Sequence, residues 1–392
     1  MSIEIRHLTI EESTQIFHFL DNYSFYPTPP LPEFEKFADK IRMQKAIEYY
    51  ALFTDDGPQT IASLRDMTQN VRGKRFRMVG IGDVSSHPAV RRKGYVRSIM
   101  QHLFNVSREE GFAVSCLYPF IETFYEGFGY ITFPQVMKIL FDPGALAPVL
   151  KMDHDGCVEM VKFEEAYTEY ETYLGELQQI IHGFSRFSEP NPAMAKEHKT
   201  WLAFAKIKGK LVGLMQYKLR GKPMQQQLYA YDFLFSNAQG KFLLLDWIAR
   251  HINQVSEAEL VLPPNVRGDL FFTDLRPEHQ RLFYPPMGRV IDLERLAGLP
   301  VDDGEITVQI SDPGCEWNTG TWRLAGEKGS LVIEKGKNPN CHLSIQGLTA
   351  LVYGVYRPDE FALRGWGDPD QQAQHILQHM FPPAVPFLHV MF

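Results

Sequence analysis

At 392 residues the chain is too long for one ordinary core, and two or three domains are expected. A composition of 44% hydrophobic and 22% charged residues reads as soluble and globular, and a net charge of −7 without a long basic run argues against nucleic acid as the main partner. Four scattered cysteines (Cys116, Cys157, Cys315, Cys341) argue against a disulfide framework or a metal site, no run of about 18 apolar residues is present to span a membrane, and MSIEIRHLTI lacks a signal-peptide core, so a cytoplasmic protein is expected.

Ile3 and Ile5 alternate with polar neighbours as a short strand. Thr9 and Glu12 have capping-box spacing and open a helix with Ile16, Phe17 and Leu20 inward. The stretch NYSFYPTPPLP, residues 22–32, reads equally as a pocket wall or as a packed proline-rich connection. Asp21 and Glu33 flank it and could add acidity to such a pocket. A second helix is expected over 33–47, then strands over 49–53, 59–67 and 77–84, the first two joined at Asp55-Asp56-Gly57.

The third strand leads through Pro88 into Arg91, Arg92, Lys93 and Gly94. A helical pattern follows at once, with Val96, Ile99, Met100, Leu103 and Phe104 on one face. Strand, basic glycine-containing turn and helix start together make an anion site: unpaired amides and the positive helix end attract phosphate, and the basic side chains add charge. Such a site suits a ligand with a pyrophosphate. A strand over 112–117 comes next, then FIETFYEGFGYITFP, residues 120–134, a tight aromatic turn around Tyr125, and a strand over 136–141. Pro143, Gly144 and Pro148 close a first domain, 1–148.

A second domain, 149–286, repeats the order helix, strand pair, strand, helix, strand. Its counterpart of the basic turn, SNAQGKFLLLDWI, has one lysine and no arginine pair, so it reads as a degenerate copy without the phosphate site. A third domain, 287–392, begins with a strand and a helix start over 293–297, continues with four alternating segments and two helices, and ends in PPAVPFLHVMF. That apolar end is expected to dock, since exposing it forfeits roughly 1.5–3 kcal/mol per large side chain. The fold class is α/β (α+β). Phosphate-loop and nucleophile-elbow patterns are absent, and His375 and His379 read as a helix surface pair.

The turn Arg91-Arg92-Lys93-Gly94-Tyr95-Val96 resembles the acetyl-CoA loop of GNAT acetyltransferases, Arg/Gln-x-x-Gly-x-small. Over all three domains the chain resembles the Eis (enhanced intracellular survival) acetyltransferases, most specifically in HPAVRRKGYVRSIM, FYEGFGY, GRVIDLERL, DPGCEWNTGTWRL and the apolar end. The resemblance implies two tandem GNAT-like domains, the second degenerate, and a domain like sterol carrier protein. It implies acetyl-CoA as co-substrate, Tyr125 as acid and the Phe392 carboxylate as base. Coenzyme contacts are implied at Val84, Ser85, Ser86, Arg91, Arg92, Lys93, Gly94, Tyr95, Val96, Arg97, Phe120 and Ile121. It further implies a cationic primary amine as acceptor (aminoglycoside-like, a polyamine or a lysine side chain of a peptide) and a homo-oligomer, a hexamer. Family members that acetylate aminoglycosides have an acidic pocket, with an acidic residue next to the chain end in some; here that position is Met391. The rival reading is a lipid or hydrophobic-ligand carrier, or a regulatory protein, with an inactive acetyltransferase core.

Overall fold

The computed structural model describes residues 3–392 apart from positions 197, 224 and 283. Strand β1 (Glu4–His7) and helix α1 (Ile10–Phe25) open the chain. The Glu12 amide donates to Thr9 Oγ1 at 3.2 Å and the Thr9 amide donates to the Glu12 carboxylate at 3.0 Å, the reciprocal box that the spacing predicts. Helix α2 (Phe34–Met43) and strands β2 (Ile47–Thr54), β3 (Gly57–Val71) and β4 (Lys74–Ser86) follow. β3 is buried along most of its length, which blurs the alternation that marks strand ends and makes it longer than expected. Arg72 and Gly73 join β3 to β4 with φ of 51° and 89°, a two-residue turn whose twist matches that of the strands.

Next come helix α3 (Tyr95–Glu109), β5 (Val114–Leu117), α4 (Glu122–Glu126) and β6 (Ile131–Thr132). The middle of the chain forms β7 (Met137–Phe141), β8 (Cys157–Lys162), α5 (Tyr167–Ile180), β9 (Ser185–Phe187), α6 (Pro192–Ala195), β10 (Trp201–Ile207), β11 (Lys210–Lys222), β12 (Gln225–Phe235), α7 (Ala238–Ala249), β13 (Val255–Leu262) and β14 (Glu278–Arg281). The last part forms β15 (Met287–Val290), β16 (Gly304–Ser311), β17 (Gly320–Glu327), β18 (Ser330–Lys335), β19 (Cys341–Ser344), α8 (Ile345–Tyr353), α9 (Phe361–Arg364) and α10 (Gln371–Met380). The helix start expected over 293–297 is a single tight turn, Glu294–Leu296.

Two compact units result. One gathers Met1–Phe133, Gln178–Glu189 and Pro286–Phe392; the other gathers Pro134–Leu177 and Pro190–Pro285. The first unit has a sheet of order β1-β2-β3-β4-β5-β15-β6, with β9 beside β3, antiparallel except where β4 runs parallel to β5. Val79 and Ile81 of β4 face Ile99, Leu103 and Phe104 of α3. Met67 and Met78 face the opposite way, into a core shared with Trp322, Leu348 and Tyr353. The second sheet of this unit has order β18-β17-β16-β19.

The other unit has a sheet of order β14-β7-β13-β12-β11-β10-β8. Its strands β10, β11 and β12 are antiparallel, and β12 runs parallel to β13, as β2, β3, β4 and β5 do in the first sheet. The topology therefore repeats. Two strands sit elsewhere than the sequence segments suggest. β7, expected within 1–148, pairs with β13 and β14, whereas β15, expected within 287–392, fills the place between β5 and β6. Alternation tells a strand which face it buries and leaves its neighbour undetermined.

Candidate active site

The register of β3 against β4 breaks between Ile61 and Ser63, where Asp83 and Val84 together oppose Ala62. Asp83 has a φ of 53°. Such a bulge turns backbone amides out of the ladder. Val84 is half-buried against the α3 core. Ser85 is buried and donates to the Leu20 carbonyl at 3.2 Å, and Ser86 Oγ lies 2.8 Å from Thr60 Oγ1.

Beyond the bulge, Arg91, Arg92, Lys93 and Gly94 are all exposed. Arg92 has a φ of 67° and Gly94 a φ of 87°. Gly94 is the N-cap of α3 and, without a side chain, makes no cap bond to that helix, and a Cβ at Gly94 would meet nothing within 4 Å. The amide end of a 15-residue helix thus lacks a cap from its own N-cap residue and stands beside a basic turn. Tyr95 is packed against Leu52 and Val90 and Val96 is half-buried, so these two offer the cradle their backbone, while Arg97 is exposed on the first turn. In the second unit the same end is closed: Asn237 Oδ1 accepts from the Gly240 amide at 2.9 Å.

Tyr125 lies in the short helix α4, buried among Phe120, Phe124, Phe128 and Tyr130, with ring centroids 5.1–6.4 Å away. Burial raises its phenol above the ordinary tyrosine value and keeps it protonated. Phe120 and Ile121 ahead of it are exposed, at 52% and 53%. The turn is held from behind. Gln346 donates to the Glu126 carbonyl at 3.0 Å, and the fully buried Arg289 donates to the Phe128 carbonyl and to Asp312 at 2.7 Å. Arg289 stands in the segment GRVIDLERL and Asp312 in DPGCEWNTGTWRL, so two of the sequence signatures form one buried ion pair.

The end of the chain docks, as its apolar character predicts. The Ala384 amide donates to the Gly354 carbonyl at 2.9 Å and the Phe387 amide to the His182 carbonyl at 2.9 Å. Tyr118 donates to the Leu388 carbonyl at 3.3 Å and the Val390 amide to Ser185 Oγ at 3.4 Å. Arg72 donates to the carbonyls of Leu351, Val352 and Pro382 at 2.8–2.9 Å, and its amide donates to Nδ1 of His182. Burial pushes the His182 imidazole down to about 4, which keeps that nitrogen an acceptor. The Phe392 ring covers Gly80, where a Cβ would come within 2.8 Å of it, and meets Tyr118 edge-on at 5.8 Å.

Phe392 and Met391 line a cleft of about 270 Å3 together with Phe17, Asp21, Lys40, Tyr49, Arg65 and Asp83. Asp21 is 9% exposed and its carboxyl makes no hydrogen bond among the described residues. Burial first, and then the neighbouring Asp83, raise its carboxyl to about 7. Arg65 donates to Asp83 at 2.9 Å and to Ser63 Oγ at 2.6 Å, and Ser63 donates to Asp83 at 2.6 Å. Glu33 is exposed and pairs with Lys36 at 2.9 Å, so of the two acidic residues flanking the aromatic loop only Asp21 lines the cleft. Arg65 and Lys40 escape the sequence reading. The signal for Arg65 is a lone cation inside the apolar run IASLRDM; Lys40 has none.

The structure therefore groups the coenzyme candidates from Val84 to Arg97 at one strand-to-helix junction, and Phe392 with Asp21 in one cleft. No hydrogen bond or ring contact among the described residues joins Tyr125 to Phe392. The stretch between Tyr118 and Tyr125 reaches both, through the Tyr118–Phe392 and Phe120–Tyr125 ring contacts.

Residues 4–133 match the acetyltransferase (GNAT) domain family, and residues 293–389 match the sterol carrier protein domain family. No curated protein is matched by the sequence. The fold is similar to a GCN5-related N-acetyltransferase from Anabaena variabilis ATCC 29413, with a TM-score of 0.84, 16% identity and 100% of both chains covered. It is similar in the same way to a conserved protein of unknown function, a probable N-acyltransferase, from Enterococcus faecalis V583, with a TM-score of 0.84, 18% identity and 100% of both chains covered. Eis1 from Mycobacterium abscessus gives a TM-score of 0.80 at 14% identity, again over 100% of both chains. At such identities the likeness is one of fold. With a GNAT acetyltransferase domain at its N-terminus, a sterol carrier protein domain near its C-terminus and a GNAT/Eis-like fold throughout, the chain is an acyltransferase.

Proposed function

We propose that the chain transfers the acetyl group of acetyl-CoA to a primary amine held in the cleft between Asp21 and Phe392. The observation that carries this reading is the amide end of α3 behind Gly94, flanked by Arg91, Arg92 and Lys93 and next to the bulged end of β4. A coenzyme pyrophosphate is the anion of matching shape and charge. Amides freed at Asp83 and Val84 would polarise the thioester carbonyl.

A protonated amine has no lone pair, so the acceptor must first lose a proton. In this reading the Phe392 carboxylate takes it, and the amine nitrogen attacks the thioester carbon. The C–S bond then breaks, Tyr125 gives a proton to the departing thiolate, and the second proton that the nitrogen sheds as the amide forms restores the phenol through solvent. A buried phenol that stays protonated suits that last step. Asp21 is the acidic group of the cleft that would hold the incoming ammonium.

Thiol release from acetyl-CoA across a panel of primary amines is the test. Turnover of at least one amine is expected, with Tyr125→Phe lowering kcat by about 10²-fold at unchanged coenzyme affinity. Absence of coenzyme binding overturns the reading in favour of a carrier with an inactive core; normal kcat in the Tyr125→Phe protein removes that residue from the chemistry.

A further inference from the structure

We infer that the acceptor carries an anionic group as well as its amine, and that Lys40 receives it at the cleft. This rests on the acetyl-transfer reading above and narrows its acceptor.

The cleft is lined by four charged side chains, Asp21, Lys40, Arg65 and Asp83. Arg65 and Asp83 satisfy one another directly and through Ser63. Besides the Phe392 carboxylate assigned above as base, that leaves Asp21 and Lys40. Asp21 is nine-tenths buried and its carboxyl accepts no hydrogen bond among the described residues. Lys40 is exposed and makes no ion pair among the described residues. On helix α2 the other two cations are engaged: Lys36 pairs with Glu33 at 2.9 Å and Arg42 with Asp39 at 3.0 Å. Lys40 and Asp21 feel each other's charge, yet no ion pair within 4.0 Å forms between them.

An unpartnered carboxyl inside and an unpartnered ammonium farther out call for a ligand of the opposite polarity: an amine that enters first and an anion that stays behind. A polycation fits this lining poorly, because its outer ammonium groups would meet Lys40. A carboxylate and a phosphate offer Lys40 the same chemistry, so either source is admissible.

The test compares matched amines that differ only in the anion. L-Lysine is set against cadaverine for the carboxylate, and phosphoethanolamine against ethanolamine for the phosphate. Initial rates of thiol release from acetyl-CoA are read on the full chain and on Lys40→Gln. The expected result is a kcat/KM about tenfold higher for the anionic member of at least one pair, expressed in KM, with that preference falling toward one in Lys40→Gln. Which pair responds identifies the anion. Equal or better turnover of cadaverine and ethanolamine overturns the inference while leaving acetyl transfer in place. A preference that survives in Lys40→Gln also overturns it. A chain that acetylates no amine overturns the parent reading, and this inference with it.

Discussion

Asp21 concentrates the electrostatics of the cleft in one side chain. Its carboxyl rises to about 7 because burial strips its water and Asp83 adds like charge, partly offset by Lys40 and Arg65. The unfolded chain ionises the same group at about 3.8, so folding becomes progressively more costly as pH rises from about 4 to about 7 and the penalty is constant above that. Replacement by Asn removes this penalty. Asp21→Asn is therefore expected to raise unfolding free energy by up to roughly 4 kcal/mol at pH 8 and by much less at pH 5. Urea denaturation at the two pH values reads the difference, and an equal change at both overturns the assignment. The same variant should lose acceptor affinity, a trade of function for stability. Sequence alone marks Asp21 only as an acid beside an aromatic loop. Its burial comes only with the folded cleft, which Phe17 and Tyr49 line with it from α1 and β2.

Among the elements, the segment around Gly183 leaves no room for a side chain beneath the chain end. Gly183 has a φ of 81°, and a Cβ there would lie 2.4 Å from the Phe387 amide nitrogen and 2.7 Å from Pro386. The chain end passes over this glycine on its way to the cleft. Gly183→Ala is expected to push the tail out of place, lowering kcat by about 10²-fold while acetyl-CoA affinity changes less than about twofold. Parallel kinetics and coenzyme titration check this; a matching loss of coenzyme binding points to general damage. Elements with a local code were legible in the sequence. Thr9 and Glu12 announce α1, Gly94 announces α3, and Asn237 announces α7 by capping it. The slot at Gly183 was not legible, because it exists only once residues 204 positions apart are brought together.

Over the whole molecule the repeat was visible as an order of elements and is present as an order of strands. Strand partnership was not visible. β15 alternates no differently from any buried strand, and all four of its residues are buried. Its arginine is the exception. Arg289 sits at full burial because Asp312 and two carbonyls surround it, and it holds the turn that presents Tyr125. The last third of the sequence thus supplies both a sheet strand and the back support of a turn in the first third.

The position of β15 between β5 and β6 also bears on how the molecule is made. During synthesis the acetyltransferase sheet must wait for residues about 170 positions downstream of β5 before its inner gap can close, so folding domain by domain in the order of translation is blocked. Until then β5 presents an open apolar edge, the kind that templates aggregation. A fragment of residues 1–148 expressed alone is expected to be insoluble, and co-expression with residues 286–392 is expected to recover it, as soluble yield by size-exclusion chromatography would read. A soluble, monomeric 1–148 fragment would mean that the first sheet closes without its late strand.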